Sequence, residues 1–407
     1  MGTKDQDGAQ SFLKSFVEEF VNPLGHDDPL PLAPLSRTVT LEEVKGESLD
    51  LGLRLLTARK APGWLSASMC HAAVTELLKD DLSPFHCPKD PEQQQEVLQS
   101  EPVQRLFINK LREVGVAWQK QLPNLTPRSS RSSLCSVHAI RNTRRKMEDR
   151  HVMLPEFNQL FGLQDGVERE YYAVFDGHGG VDAAIYTSTH LHVVLSRQET
   201  LKSDTGVAFK NSFTQTDEMF RIKARRERMR SGSTGVAVLL AADWLTVSWL
   251  GDSQAMLVKK GEPVILMDPH KPERDDEKKR IEDLGGCIAF MGCWRVNGTY
   301  AVSRAIGDFD QKPYVSNAAD CSSVQLSGDE DYVLLACDGF FDVLRPADVP
   351  ALVLEALREA GGSGQDVAQS LVAEAKAAGS SDNITVLLVF LREPRDLVLS
   401  ETTAGKV

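Results

Sequence analysis

The sequence lacks cysteines at the spacing of a metal ribbon or a disulfide framework. Its seven cysteines are an odd number, and no two of them form a CxxC pair. The adjacent pairs Cys70-His71 and His86-Cys87 are better interpreted as ordinary helix residues than as ligands, because no helical or ribbon ligand spacing accompanies them. The cysteine pattern therefore predicts free thiols in a reducing compartment.

Membrane and export signals are also lacking. Residues 1–10 do not have the charged-then-apolar profile of a signal peptide, and Gln6 stands where a myristoylation site requires Ser or Thr. The most apolar stretch, 236–250, contains Asp243 and is too short to span a bilayer. We therefore expect a soluble cytoplasmic protein without a membrane partner. The basic run 221–230 leaves a nuclear location open, although the solvated end of a helix is the simpler interpretation.

Positive charge is scarce. Lys and Arg number 46 against 58 Asp and Glu, a formal net charge of −12, which disfavours a general nucleic-acid binder. A local basic patch that binds an anionic partner stays compatible with this balance. The hydrophobic fraction of 42% is typical of a chain with a buried core, and 407 residues are enough for two domains.

The chain changes character along its length. Apolar residues at helical spacing, with Ser11 as the N-cap, predict a helix over 11–21, and a helical pattern returns between 41 and 121. A segment rich in Pro, Ser and Arg then indicates a linker. We predict a helical regulatory or partner-binding region at 1–122, a linker at 123–133, an α+β domain at 134–393 and a tail at 394–407.

Short β-rich runs and helix-like segments alternate after the linker. Closely spaced strands with turns such as Ala242-Asp243 and Lys260-Gly261 favour antiparallel pairing. Helix groups beside strand groups predict an α+β layered sandwich. The predicted strands are 171–175, 234–240, 245–250, 255–258, 332–336 and 384–390, and the predicted helices are 181–195, 206–230, 275–284 and 364–377.

Several acidic residues stand where predicted strands end or begin. Taken singly, each is typical of turn chemistry, but Asp176 and Asp338 end apolar runs, where an uncompensated charge is costly. Carboxylates from several strand ends can converge on Mg²⁺ or Mn²⁺, and a glycine lets a carbonyl approach the cation. The candidates are Glu148, Asp149, Asp176, Gly177, Asp252, Asp338, Asp342 and Asp382.

An ordered set of motifs covers roughly residues 135–392: RRKMED, YYAVFDGHGG, SGSTGVAVLL, WLGDSQAML, DPHKP, RVNGTYAVSRAIGD, LLACDGFFDVL and SSDNITVLLV. This set resembles the PP2C-type metal-dependent Ser/Thr protein phosphatases. The resemblance implies a PP2C-like four-layer α-β-β-α sandwich of two antiparallel sheets. It also implies hydrolysis of phosphoserine and phosphothreonine by a hydroxide that bridges two Mn²⁺ or Mg²⁺ ions.

The resemblance also implies a ligand set. Asp176 would bridge the two cations, with the Gly177 carbonyl on one of them and Asp338 and Asp382 on the other, and Asp252 and Asp342 would complete a third, weaker site.

Four further residues are candidates for catalysis. Glu148 and Asp149 would act on bound waters, and Arg144, four residues before Glu148, would bind the substrate phosphate. A guanidinium suits phosphoryl oxygens because it donates two hydrogen bonds at once, although Arg144 could also be a solvated charge. His178 lies between two glycines beside Asp176, which favours a proton donor to the leaving oxygen over a packed histidine.

Partners follow only from the resemblance. The helical leader and the segment DPHKPERDDEKKRIEDLGG are most similar to a subgroup that acts on protein kinases. Calmodulin-dependent and p21-activated kinases would then be substrates, and a PIX-type exchange factor would be a partner. Two alternatives stay open: a partner-binding scaffold in which catalysis is secondary, and a two-metal nuclease or phosphodiesterase, which the acidic balance disfavours.

Overall fold

The computed structural model describes residues 3–88, 96–125 and 133–404. These residues form two compact units. The first comprises the described residues before position 131 together with Glu156–Arg169, and the second comprises the rest. Most of the predicted linker 123–133 lies outside the described residues, so its boundaries stay a prediction. Within the described part of the chain, no helix is both long and apolar enough to cross a membrane.

The first unit is helical. It contains α1 (Thr3–Glu19), α2 (Leu41–Ala58), α3 (Gly63–Leu77), α4 (Ser100–Lys120), α5 (Phe157–Phe161) and a short antiparallel pair of β1 (Thr38–Val39) and β2 (Leu98–Gln99).

Helix α1 carries the apolar stripe that the sequence predicts, but the helix begins at Thr3. The predicted N-cap at Ser11 is therefore wrong: its carbonyl accepts a hydrogen bond from Ser15 Oγ inside the helix. No proline or glycine pair upstream stops the helix at Ser11. Leu13, Phe16 and Phe20 of the stripe are buried, and the Phe16 ring packs against Gly115 of α4, where a Cβ would lie 2.9 Å from it. Phe12 and Val17 are half-buried and Val21 is exposed. Packing within its own unit therefore accounts for most of the stripe without a partner.

The second unit contains the remaining elements. Its strands are β3 (Leu134–Ile140), β4 (Arg150–Leu154), β5 (Arg169–Phe175), β6 (Gly177–His178), β7 (Gly232–Ser233), β8 (Gly235–Ala241), β9 (Trp244–Leu250), β10 (Gln254–Lys259), β11 (Glu262–Val264), β12 (Ile288–Phe290), β13 (Trp294–Val296), β14 (Ile306–Gly307), β15 (Asp320–Gln325), β16 (Glu330–Ala336) and β17 (Ile384–Phe390). Its helices are α6 (Asp182–Ser196), α7 (Thr205–Glu227), α8 (Asp275–Asp283), α9 (Asp338–Phe341), α10 (Val349–Glu359), α11 (Val367–Ala377) and α12 (Pro394–Ala404).

Two five-stranded sheets organise this unit. Their strand orders are β11-β10-β16-β17-β3 and β15-β9-β8-β5-β4. Successive side chains of a strand point to opposite faces, and both faces of the central strands are apolar. On β16, Tyr332 and Leu334 pack with helices α10 and α11, whereas Val333 and Leu335 pack between the two sheets. Helices α6 and α7 contact the opposite sheet, which confirms the predicted four-layer sandwich.

The six predicted strands and four predicted helices of this unit are confirmed to within a few residues. The hairpin turns are confirmed too. Ala242 has φ +52°, and Lys260 and Gly261 have φ +53° and +78°, the left-handed backbone that tight hairpins require. The outer strands β3, β4 and β15 and helices α10 and α12 are among the elements that were not predicted from the sequence.

Strand β17, the last strand of the chain, lies between β16 and β3 in the first five-stranded sheet. β17 pairs with β3 from Ile384 opposite Ile140. This pairing places the loop after β3 beside the loop before β17, where Asn142 Nδ2 donates to the Ser380 carbonyl (2.6 Å). Residues more than 230 positions apart are therefore neighbours at one edge of the sandwich.

Candidate active site

Strand ends from both sheets meet at a cleft of about 780 Å³. Asp176 follows β5, Asp252 follows β9, Asp338 follows β16, and Asp382 precedes β17. All four line the cleft, together with the predicted site residues Arg144, Glu148, Gly177 and His178.

The other two predicted site residues lie next to the cleft. Asp149 is buried beneath it, where it accepts a hydrogen bond from Thr385 Oγ1 (2.7 Å). Asp342 lies one turn after Asp338, is exposed, and pairs with Lys271 Nζ (3.0 Å). Eight of the ten predicted site residues therefore line the cleft, and Asp149 and Asp342 lie beside it.

The carboxylates are crowded. Ligand atoms of Asp149, Asp176 and Cys337 all lie within 4.8 Å of one another. The carboxylates of Asp176 and Asp338 lie close enough for each to affect the titration of the other.

Burial and mutual repulsion shift the titration of this cluster. Burial, reinforced by the charges of Asp338 and Asp149, raises the pKa of Asp176 well above its usual range. Burial and neighbouring carboxylates likewise raise the pKa of Asp252 to about 8. Burial raises the pKa of Asp149 to about 6, although a hydrogen bond from Thr385 opposes the increase. Such a cluster is unfavourable unless positive charge offsets it.

The donor set fits hard divalent cations. The Oδ1 atom of Asp252 is buried and accepts no hydrogen bond from any described residue, as expected of an oxygen available to a cation. Carboxylate and carbonyl oxygens are the ligands that Mg²⁺ and Mn²⁺ prefer.

Cys337, the sulfur in the cluster, does not fit such a cation. Burial and nearby carboxylates raise the pKa of its thiol well above the usual value, which disfavours the thiolate. Its Sγ accepts a hydrogen bond from the Thr385 N–H (3.2 Å) and donates to the Asn383 carbonyl (3.5 Å), so the thiol supports the strands. No role for Cys337 follows from the sequence, and in the structure this residue has a packing role.

Two glycines permit the close approach of the site's loops. A Cβ on Gly177 would lie 2.6 Å from the Glu148 carbonyl oxygen, and one on Gly339 would lie 2.0 Å from the Asn383 carbonyl oxygen. No other residue fits at these positions without moving the backbone. The Asp-Gly pairs therefore allow Asp176 and Asp338 to lie against neighbouring loops.

Asn383, which the sequence analysis left out, holds the loop that carries Arg144 and Glu148. Its Nδ2 donates to the carbonyls of Arg141 (2.9 Å) and Lys146 (3.0 Å), and its Oδ1 accepts from the Glu148 N–H (2.8 Å). The exposed Arg144 guanidinium donates to the Asp382 carboxylate. This arginine is thus positioned for an anionic group at the mouth of the cleft.

His178 has a carboxylate partner that the sequence analysis also missed. Its Nε2 lies 2.6 Å from Oδ2 of Asp308, which is buried. Strands β6, β7 and β14 form a small sheet that brings the two residues together, and Gly232 of β7 leaves room for them. Burial lowers the pKa of His178, but the hydrogen bond and charge of Asp308 outweigh burial and raise it. The only sequence signal for Asp308 was its place in the motif RAIGD.

The sequence profile of the family described as "Protein phosphatase 2C" matches residues 133–384, more than half of the chain. The chain belongs to the protein phosphatase 2C family. Members of this family, PP2C, are metal-dependent Ser/Thr protein phosphatases, and the chain is an enzyme of this class. The cluster of carboxylates described above is accordingly the candidate metal centre of a PP2C enzyme.

Named relatives extend the match beyond the PP2C domain. The chain is 52% identical to human "Protein phosphatase 1F" over 95% of this chain and 88% of that protein. It is 51% identical to human "Protein phosphatase 1E" over 90% of this chain and 48% of that protein. The similarity therefore includes the helical region.

Solved structures agree on the fold. A structure described as that of a C. elegans sex determining protein has a TM-score of 0.72 at 24% identity, covering 96% of each chain. Serine-threonine phosphatase 2C from Toxoplasma gondii has a TM-score of 0.56 at 24% identity, covering 65% of this chain and 97% of that one. At these identities the likeness shows the fold alone.

Proposed function

We propose that this PP2C chain hydrolyses phosphoserine and phosphothreonine in proteins by direct attack of water. The observation that carries the proposal is the convergence of carboxylates from four strand ends beside the exposed Arg144. Asp176, Asp338 and Asp382 would hold two divalent cations, Mn²⁺ or Mg²⁺, with Asp252 and Asp342 available to a third. When bound, such cations lower the pKa of a coordinated water and offset the charge of a phosphate.

The remaining chemistry belongs to the side chains. Arg144 would donate hydrogen bonds to the phosphoryl oxygens and fix the phosphate in the cleft. Glu148 and Asp149 would accept hydrogen bonds from waters and orient the attacking one. His178 would donate a proton to the leaving oxygen, with Asp308 holding the imidazole ring.

We further propose that the substrates are protein kinases, among them calmodulin-dependent and p21-activated kinases, and that a PIX-type exchange factor is a partner. We also propose a cytoplasmic location. The similarity of the helical region and of residues 268–286 to the kinase-directed subgroup supports these proposals. The partial burial of the α1 stripe weakens the scaffold alternative, because Leu13, Phe16 and Phe20 already pack inside their own unit.

The test is release of phosphate from phosphoserine peptides in Mn²⁺ or Mg²⁺, compared with hydrolysis of a phosphodiester. We expect turnover of the monoester, reversible loss in excess chelator, and no turnover by Asp338→Ala. Asp348→Ala, which alters an exposed carboxylate paired with Arg345, is the matched control and should keep full activity. Undiminished activity in excess chelator would refute the metal mechanism, and faster hydrolysis of the diester would favour the phosphodiesterase.

A further inference from the structure

The mouth of the cleft carries a concentration of positive charge. The floor is acidic, whereas the loop after β3 presents Arg144, Arg145 and Lys146 at the rim, all of them exposed. This arrangement runs against the formal net charge of −12 of the whole chain. The whole molecule therefore attracts anions only weakly at long range. The positive charges at the rim act over a short range and favour anionic groups that reach the cleft.

Two of these cations differ from Arg144 in having no ion-pair partner among the described residues. Arg144 is engaged by Asp382, as described above, whereas Arg145 and Lys146 make no ion pair with any residue in the described ranges 3–88, 96–125 and 133–404. Exposed cations without internal partners remain available to a ligand, and a guanidinium beside an ammonium suits a carboxylate or a phosphate.

The backbone that carries these two side chains is held in place. Asn383 Nδ2 donates to the Lys146 carbonyl (3.0 Å), and Thr143 Oγ1 donates to the Ser381 carbonyl (2.5 Å). A fixed backbone lowers the entropy that binding must overcome. The loop therefore presents Arg145 and Lys146 at a set distance from Arg144, and not as a freely moving basic tail.

We propose that Arg145 and Lys146 bind a second anionic group of the protein substrate, a carboxylate or phosphate near the phosphoresidue that is hydrolysed. The proposal rests on the proposed function, with the scissile phosphate at Arg144. An extended peptide advances about 3.3–3.6 Å per residue, so the second anion lies one to three positions from the phosphoresidue. The subsite would make the enzyme select acidic or multiply phosphorylated sequences.

The test uses phosphoserine peptides that differ only within three positions of the phosphoserine. These positions carry alanine, glutamate, a non-hydrolysable phosphonate analogue of phosphoserine, or lysine. With Mn²⁺ at about 0.05 M salt, we expect kcat/KM for the glutamate and phosphonate peptides to exceed that for the alanine peptide by about 5–20-fold, mainly through KM. The lysine peptide should be poorest, and the preference should shrink at about 0.5 M salt because exposed charges are screened.

Two double variants separate this subsite from general charge effects. In the double variant Arg145→Ala, Lys146→Ala, kcat/KM for the glutamate peptide should be about equal to kcat/KM for the alanine peptide. The double variant Lys278→Ala, Lys376→Ala removes the same charge from exposed positions outside the cleft. It should retain the wild-type preference for the glutamate peptide over the alanine peptide.

The outcomes separate the subsite from the function on which it rests. Equal rates on all peptides, a preference for lysine, or equal effects of the two double variants would overturn the subsite while phosphatase activity stands. Phosphate release from none of the peptides in Mn²⁺ or Mg²⁺ would instead refute the proposed function. If only the phosphonate peptide has a higher kcat/KM than the alanine peptide, the subsite binds a second phosphate. If the glutamate peptide has a higher kcat/KM as well, the subsite also binds carboxylates.

Discussion

The hydrogen bond between His178 and Asp308 allows the role of the imidazole to be separated from that of the cations. A serine alkoxide is a poor leaving group and needs a proton, whereas p-nitrophenolate leaves without one. We expect His178→Gln to lower kcat on a phosphoserine peptide by about 10²–10⁴-fold, the usual cost of a lost proton donor, and to cost far less on p-nitrophenyl phosphate. Asp308→Asn, which keeps an acceptor oxygen but loses the charge, should show the same selectivity with a smaller loss.

The contrast between the two substrates is the measurement. Equal losses on both, together with lower thermal stability, would show that the pair has only a structural role. The metal centre would stand unaffected by that result.

The ionisation of Glu277 should make the stability of the second unit depend on pH. Its buried carboxylate lies 2.7 Å from Arg304 Nη2 and 2.8 Å from Arg280 Nη2. Burial alone would raise the pKa of Glu277, but hydrogen bonds from Arg304, Arg280 and Ser303 lower it from 4.5 to about 2. Because the pKa is depressed in the folded state, the stabilisation is present above pH ~4.5 and is lost as the pH falls towards 2.

Glu277→Gln should therefore lower the free energy of unfolding at pH 7 by about 3 kcal/mol and flatten its decrease between pH 4.5 and 2. Urea unfolding at a series of pH values measures both effects. Glu282→Gln, on the exposed side of the same helix, is the control and should leave the curve unchanged. If Glu277→Gln lowered the free energy of unfolding by the same amount at every pH, the pH dependence could not be attributed to Glu277.

At the level of residues, the sequence identified those site residues whose signal is local. Asp176 and Asp338 could be recognised because each ends an apolar run, where a lone charge is costly. Asp308 and Asn383 could not. Their importance lies in contacts with residues 130 and 235 positions away, and no spacing along the chain encodes such contacts.

At the level of elements, burial decided which strands could be predicted. The central strands β5, β8, β9, β16 and β17 are buried on both faces and read as apolar runs. The missed strands β3, β4 and β15 are all sheet edges, where half-exposed polar residues interrupt the pattern. Helix α10 was not predicted either, although its Pro350 lies in the first turn, where proline is tolerated.

The segment Glu156–Arg169 should determine whether an isolated phosphatase domain is soluble. It groups with the helical unit, and its Phe157 and Leu160 are fully buried there. A fragment of residues 133–393 would expose them, so we expect it to aggregate. Replacing 156–169 in that fragment with a short Gly-rich turn between Pro155 and Glu170 should restore a soluble domain, because β4 and β5 already pair as a hairpin there.

Size-exclusion chromatography and the rate on p-nitrophenyl phosphate check this prediction. The shortened fragment should be monodisperse and active. A soluble, fully active fragment that still contains 156–169 would show that the segment does not depend on the helical unit.

At the scale of the whole molecule, the crowded carboxylates couple cation binding to stability. A cation that binds only the folded state stabilises it in proportion to the logarithm of its concentration, by about 2.7 kcal/mol at 100 times Kd. We expect Mn²⁺ to raise the thermal midpoint by roughly 5–10 °C. Asp176→Asn should lose most of this shift, while its midpoint without cation should rise because the amide avoids the cost of holding an ionisable carboxyl in a buried, crowded cluster.

Differential scanning calorimetry with and without Mn²⁺ tests both halves of this prediction. Asp348→Asn should behave as wild type. The same Mn²⁺ shift in Asp176→Asn would place the cation elsewhere on the molecule.

The pairing of β17 with β3 has a consequence for biosynthesis. Among the described residues, β3, the first strand of the PP2C domain, pairs with no strand until residues 384–390 leave the ribosome, because β17 lies between it and β16. Arg144 and Glu148 meet Asp382 and Asn383 only through that pairing. We therefore expect a nascent chain to be unable to act on phosphoproteins until translation is almost complete. We expect a product of premature termination before Ile384 to be inactive, however much of the sandwich it contains.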